Sequence, residues 1–153
     1  MKLEGSYRLP VPRSQVWEAL LNPEILCRVI PGCEKLTAAG PSKYTGLFRA
    51  GVGHIRGSFS GEVEITNIDP QNSYTLRSRM KAGVGFVDGT GDITLADDME
   101  QPGAPSTLLN YSGEVKVGGM LASIAGRLVE SAARKNLDDL FANLERELGR
   151  SAG

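Results

Sequence analysis

The chain has 153 residues, 41% of them apolar and 23% charged, the length of one domain that buries roughly 68–70% of its unfolded surface. A net charge of −1 provides no field that would draw in nucleic acid, so nucleic acid is excluded as the main partner. Nineteen glycines, against a usual share of ~7%, must serve turns, bulges or an interior left partly empty.

The opening residues Met1–Pro10 lack the apolar run of about 7–15 residues that a secretory signal needs. No stretch approaches the ~18 consecutive apolar residues of a membrane span, and the expectation is a soluble, cytoplasmic protein. Leu3 to Leu9 reads as a strand that stops at Pro10. Pro12 then suits the first turn of a helix carrying Val16, Trp17, Leu20 and Leu21 at helical spacing, which Asn22-Pro23 ends. Trp17 is expected in the core. A second short helix, Glu24 to Val29, runs into the Ile30-Pro31-Gly32 turn. Cys27 and Cys33 flank that turn outside any C-x-x-C pair, and the expectation is two ordinary reduced thiols.

From Lys35 to Val117 the pattern alternates with period two. Tyr44, Phe48 and Val52 share one parity, as do Phe59, Val63 and Ile65, then Tyr74, Leu76 and Met80, then Ile93 and Leu95, and finally Leu109, Tyr111, Val115 and Val117. Charged residues fill the positions between, so six antiparallel strands with one dry and one wet face are predicted, seven with the N-terminal strand. Turns are expected at Ala39-Gly40-Pro41, Asp69-Pro70-Gln71-Asn72 and 101–105. Gly46, Gly61, Gly89, Gly91 and Gly113 also fall on the dry face. They predict an apolar cavity there, or else strands that bend and approach closely.

The last element is a helix expected from about Gly119 to Leu148, with Leu121, Ile124, Leu128, Leu137, Leu140, Phe141, Leu144 and Leu148 on one stripe. About 30 residues at 1.5 Å each span roughly 45 Å, long enough to need a sheet that wraps it. Strand, two short helices, six strands and one long helix make an α+β fold: a curved antiparallel sheet of about seven strands gripping the C-terminal helix. Residues 1–148 form one domain, with 149–153 expected as a short disordered tail.

Chemistry-bearing patterns are sparse. His54, the one histidine, is expected at the surface in the Gly51–Gly57 turn. No nucleophile elbow, metal-spaced cluster or phosphate loop occurs, so no catalytic residue, metal or cofactor is assigned. Only Tyr44, Tyr74, Ser78 and Tyr111 bring polar groups to the dry face. The cavity lining expected from parity and helix phase is Phe48, Phe59, Met80, Val87, Tyr111, Leu121, Ile124 and Leu128. Met80 and Met120 suit a pocket that repacks.

Five segments carry a family resemblance. They are Met1–Tyr7 with Val11–Trp17, Ile30-Pro31-Gly32-Cys33-Glu34, Gly51–Gly57, Ile68-Asp69-Pro70, and Gly118-Gly119 leading to Ala132-Ala133-Arg134-Lys135. Over about residues 1–145 the chain resembles the carbon monoxide dehydrogenase CoxG family, in the START-like (SRPBCC) helix-grip superfamily. The resemblance implies a non-enzymatic accessory protein of molybdenum hydroxylases that recruits the enzyme to the inner face of the membrane or links it to the quinone pool. It also implies a hydrophobic ligand, a quinone or other isoprenoid-like lipid, between sheet and helix. Many relatives carry a C-terminal extension that associates with membrane; the sequence ends at Gly153 without one, which favours a soluble carrier or adaptor. A START-like enzyme of cyclase, hydrolase or dehydratase type, or a pure protein-interaction module, are the alternatives.

Overall fold

A computed structural model describes residues 1–52, 55–98, 105–124 and 126–152, the last three as backbone only. Seven strands form one antiparallel sheet: β1 (Lys2–Leu9), β2 (Cys33–Gly40), β3 (Lys43–Val52), β4 (Ile55–Asp69), β5 (Ser73–Ala82), β6 (Gly85–Asp98) and β7 (Ser106–Gly118). Their order is β1-β7-β6-β5-β4-β3-β2, so β2 to β7 run as a meander and β1 closes on β7. Helices α1 (Arg13–Leu21) and α2 (Pro23–Val29) carry the chain from one edge of the sheet to the other. The chain ends in α3, Gly126–Ala152. His54 and residues 99–104, which include most of the turn expected at 101–105, lie outside the described residues.

The α1–α2 corner follows from local chemistry. Pro23 occupies the first turn of α2, where its missing N–H costs nothing. The Asn22 side chain accepts from the backbone N–H groups of Glu24 and Ile25 at 2.9 and 3.4 Å, satisfying two of the donors a helix start leaves open. A buried cluster then ties α1, α2 and the second half of α3 to the sheet through Leu9, Val16, Leu109 and Leu144. Trp17 belongs to it and meets Tyr74 edge-on at 5.6 Å. Polar bonds fasten the same corner: Tyr44 Oη donates to Leu21 O at 2.9 Å and Asn143 Nδ2 to Val29 O at 3.0 Å.

Four expectations change. Cys27 and Cys33 form a disulfide, their Cα atoms 5.2 Å apart, because the Ile30-Pro31-Gly32 turn folds the end of α2 back onto the start of β2. The reading of a reducing compartment from free thiols therefore loses its premise. The long helix does not begin at Gly119: a 3-10 turn spans Gly119–Ser123, Ile124 is extended at ψ 143°, and α3 starts only at Gly126. At the other end α3 continues through Ala152, so residues 149–152 are helical where a disordered tail was expected. The dry-face glycines, finally, do not hollow out the interior. A Cβ at Gly61 would stand 1.8 Å from the Arg79 carbonyl oxygen, and one at Gly113 2.4 Å from that of Thr90. They mark close approach between coiled strands, the second of the two readings.

Candidate functional site

A second buried cluster, Phe59, Met80 and Leu121, lies between the sheet and the first half of α3. Beside it opens a cavity of about 200 Å³. Its sheet wall is Phe48, Ala50 and Val52 of β3, Phe59 of β4, Met80 of β5, Val87 of β6, and Val115 and Val117 of β7. Register explains the convergence: Phe48 pairs with Phe59, and Met80 with Val87, so these side chains stand in adjacent rows on the concave face. The roof is Leu121 with Val129, Ala132, Ala133 and Asn136 of α3, spaced i, i+3, i+4 and i+7. The two alanines leave the volume that larger side chains would fill.

Of the eight residues expected at the cavity, Phe48, Phe59, Met80, Val87 and Leu121 are on its wall, and three are not. Tyr111 has the right parity but stands further along β7. There its ring stacks on Phe141 at 5.4 Å, with Tyr7 on Phe141's other contact at the same distance. Burial first, and Asp138 second, raise the Tyr111 hydroxyl above its ordinary pKa, with Arg134 opposing. Leu128 is 55% exposed, and together with Ile124 it lines an open surface groove with Ile55, Arg56, Val84, Met120 and Ser123.

The break at Ile124 explains both misplacements. A continuous helix from Gly119 would bring Leu121, Ile124 and Leu128 to one face. The extended residue resets the phase, so Val129, 7% exposed, points inward instead. Val129, Ala132, Ala133 and Asn136 were invisible to a reading that assumed one uninterrupted helix. Ala50, Val52, Val115 and Val117 were signalled by parity alone.

The lining is poor in chemistry. None of Tyr44, Tyr74, Ser78 and Tyr111 reaches it. Among the described residues, no group of three or more His, Cys, Asp or Glu could hold a metal ion. No helix among them is long and apolar enough to cross a membrane.

Comparisons with known proteins agree with this architecture. The CoxG family of carbon monoxide dehydrogenase subunits matches residues 5–149. A conserved protein from Geobacillus kaustophilus is similar at 30% identity and TM-score 0.90, over 99% of this chain and 97% of its own. A START superfamily protein from Mycobacterium smegmatis shares the fold at 13% identity and TM-score 0.71, with 97% of each chain covered. An aromatase/cyclase from a Streptomyces species shares it at 15% and 0.68, over 100% of this chain and 96% of its own. No curated protein matches. With nearly its whole length matched and a seven-stranded sheet curved around the C-terminal helix, the chain belongs to the carbon monoxide dehydrogenase CoxG family and has the START-like helix-grip fold.

Proposed function

We propose that the protein is a non-enzymatic accessory factor. It holds a hydrophobic ligand, a quinone or other isoprenoid-like lipid, in the sheet–helix cavity and serves a molybdenum-containing carbon monoxide dehydrogenase-type enzyme by membrane recruitment or delivery of an electron acceptor. The observation that carries the reading is the cavity: about 200 Å³, walled by Phe, Val, Met, Leu and Ala. An engineered apolar cavity of about 150 Å³ stays dry and takes up benzene. On that scale this one accepts a substituted ring, while an isoprenoid tail extends beyond it. The lack of a converging acid, base or nucleophile at the wall favours carriage over chemistry.

The test is saturable binding of the lipophilic dye ANS, paired with mass spectrometry of an organic extract of the purified protein. Wild type should bind dye with a single affinity, and filling the roof with Ala133→Trp should weaken it at least about tenfold, since the bulky ring occupies the ligand's volume. Folded wild-type protein that neither binds dye nor carries extractable lipid overturns the carrier reading. Retrieval of molybdenum hydroxylase subunits in a pull-down tests the partner.

A further inference from the structure

Asn136 breaks the pattern of the helix that carries it. The face of α3 turned to the sheet is apolar before it, at Val129, Ala132 and Ala133, and apolar after it, at Leu140, Phe141 and Leu144. Asparagine is a poor helix former whose side chain competes with the backbone. A polar residue set into an apolar stripe is a local conflict of the kind that marks functional sites.

The amide is also uncommitted. Among the described residues no side-chain hydrogen bond or ion pair involves it, and it is solvent-accessible at the cavity's edge. Two of the helix's other asparagine and lysine side chains contrast with it: Asn143 bonds Val29 O and Lys135 pairs with Asp139. The only other polar group at the wall, the Met1 ammonium, already donates to Val115 O at 3.0 Å. The strand backbone groups are taken up in the ladders.

We infer that Asn136 is the specificity-determining residue of the cavity, its amide hydrogen-bonding a carbonyl or hydroxyl oxygen on the edge of a bound ring. The inference rests on the carrier reading and names the ligand class within it: a ring compound with a polar oxygen at one edge, in preference to a pure hydrocarbon. A ligand oxygen entering this wall gives up its bonds to water. Asn136 is the one side chain there able to replace them, and as both donor and acceptor it serves either oxygen type.

The experiment uses two probes of nearly one shape, an acetylnaphthalene and the ethylnaphthalene substituted at the same carbon, each displacing ANS from the full chain. Asn136→Leu should weaken the ketone about 3- to 10-fold, the range of a net neutral hydrogen bond, and leave the hydrocarbon as tight or tighter. Asn136→Gln, which keeps the amide, should recover part of the ketone's affinity. Equal losses for both probes, or no loss for the ketone, overturn the inference while the carrier reading stands. Failure of wild type to bind either probe overturns the carrier reading itself. Leucine is the better helix former, and unchanged circular dichroism confirms that the variants fold.

Discussion

Tyr7, Tyr44, Tyr74 and Tyr111 are the chain's four tyrosines, and the fold holds all four hydroxyls above their ordinary pKa of 10.0. Burial is the leading cause for each. Tyr74 is the extreme case, 4% exposed and packed against Trp17; at Tyr7 the carboxylates of Glu145 and Asp138 add to burial. The sign follows from linkage. The unfolded chain releases these protons near pH 10 while the folded chain retains them, so their contribution to stability is complete below about pH 10 and is lost as pH rises above it. The urea midpoint should therefore fall between pH 9 and pH 11. Tyr74→Phe should flatten that fall, because it removes the group whose two states differ most. A midpoint with the same alkaline slope in wild type and Tyr74→Phe would show that other groups set it. The tyrosines also show what one residue's pattern can reveal. Parity placed all four on the dry face or in the core, yet it gave no depth along the strand, so Tyr111 was assigned to the cavity when it stacks on Phe141.

At the scale of elements, alternation and punctuation were legible because each strand is dry on one face only and each turn needs Pro, Gly or Asn. That sufficed for seven strands, two short helices and a long one. Phase across a break was not legible. Nothing in the Leu121–Leu128 spacing betrays that Ile124 is extended, because i, i+3 and i+7 fit a helix whether or not one forms. The Cys27–Cys33 bond was hidden for a related reason: composition predicts thiols, whereas the turn at Gly32, φ +78° with a Cβ blocked by Arg49 O at 1.9 Å, sets the sulfurs side by side. This bond clips α2 to β2, an edge strand whose first residue pairs with Phe48 of the cavity wall. Closing a loop this short constrains the unfolded chain by about 2 kcal/mol. The double variant Cys27→Ser/Cys33→Ser should lose about that much stability in urea unfolding. Reductant should shift the wild-type midpoint by a similar amount and leave the variant's unchanged. A wild type indifferent to reductant would mean the bond adds nothing to the fold.

At the scale of the molecule, the cavity lies toward one end, and that end differs from the rest of the surface. The β5–β6 turn is pinned to the 3-10 turn by a hydrogen bond from Leu121 N to Val84 O at 3.1 Å. Gly119, at φ +69° with its would-be Cβ 2.7 Å from the Gly85 Cα, allows the contact. The two turns and the start of α3 gather Phe86, Met120 and Leu128, three of the six large apolar side chains exposed among the described residues. Described residues of segments 51–56, 81–87 and 116–129 include Arg56, Lys81, Lys116 and Arg127 and no acidic residue, in a chain of net charge −1. Lys116 faces Asp88 across the strand pair, which leaves three basic groups around an apolar rim. Apolar side chains ringed by cations fit an anionic bilayer surface, and this is the surface we propose for membrane contact. Vesicles of phosphatidylglycerol and phosphatidylcholine should co-sediment the protein, pure phosphatidylcholine should not, and added salt should release it. Each basic residue near such a surface contributes about 1 kcal/mol, so Arg56→Glu/Arg127→Glu should cut partitioning at least about tenfold. Met120→Ser/Leu128→Ser should cut it with less effect on salt dependence. ANS affinity should be unchanged in the charge variant, which separates docking from ligand holding. Equal binding to neutral and anionic vesicles, or binding insensitive to both pairs of substitutions, would remove this end of the molecule as the docking surface.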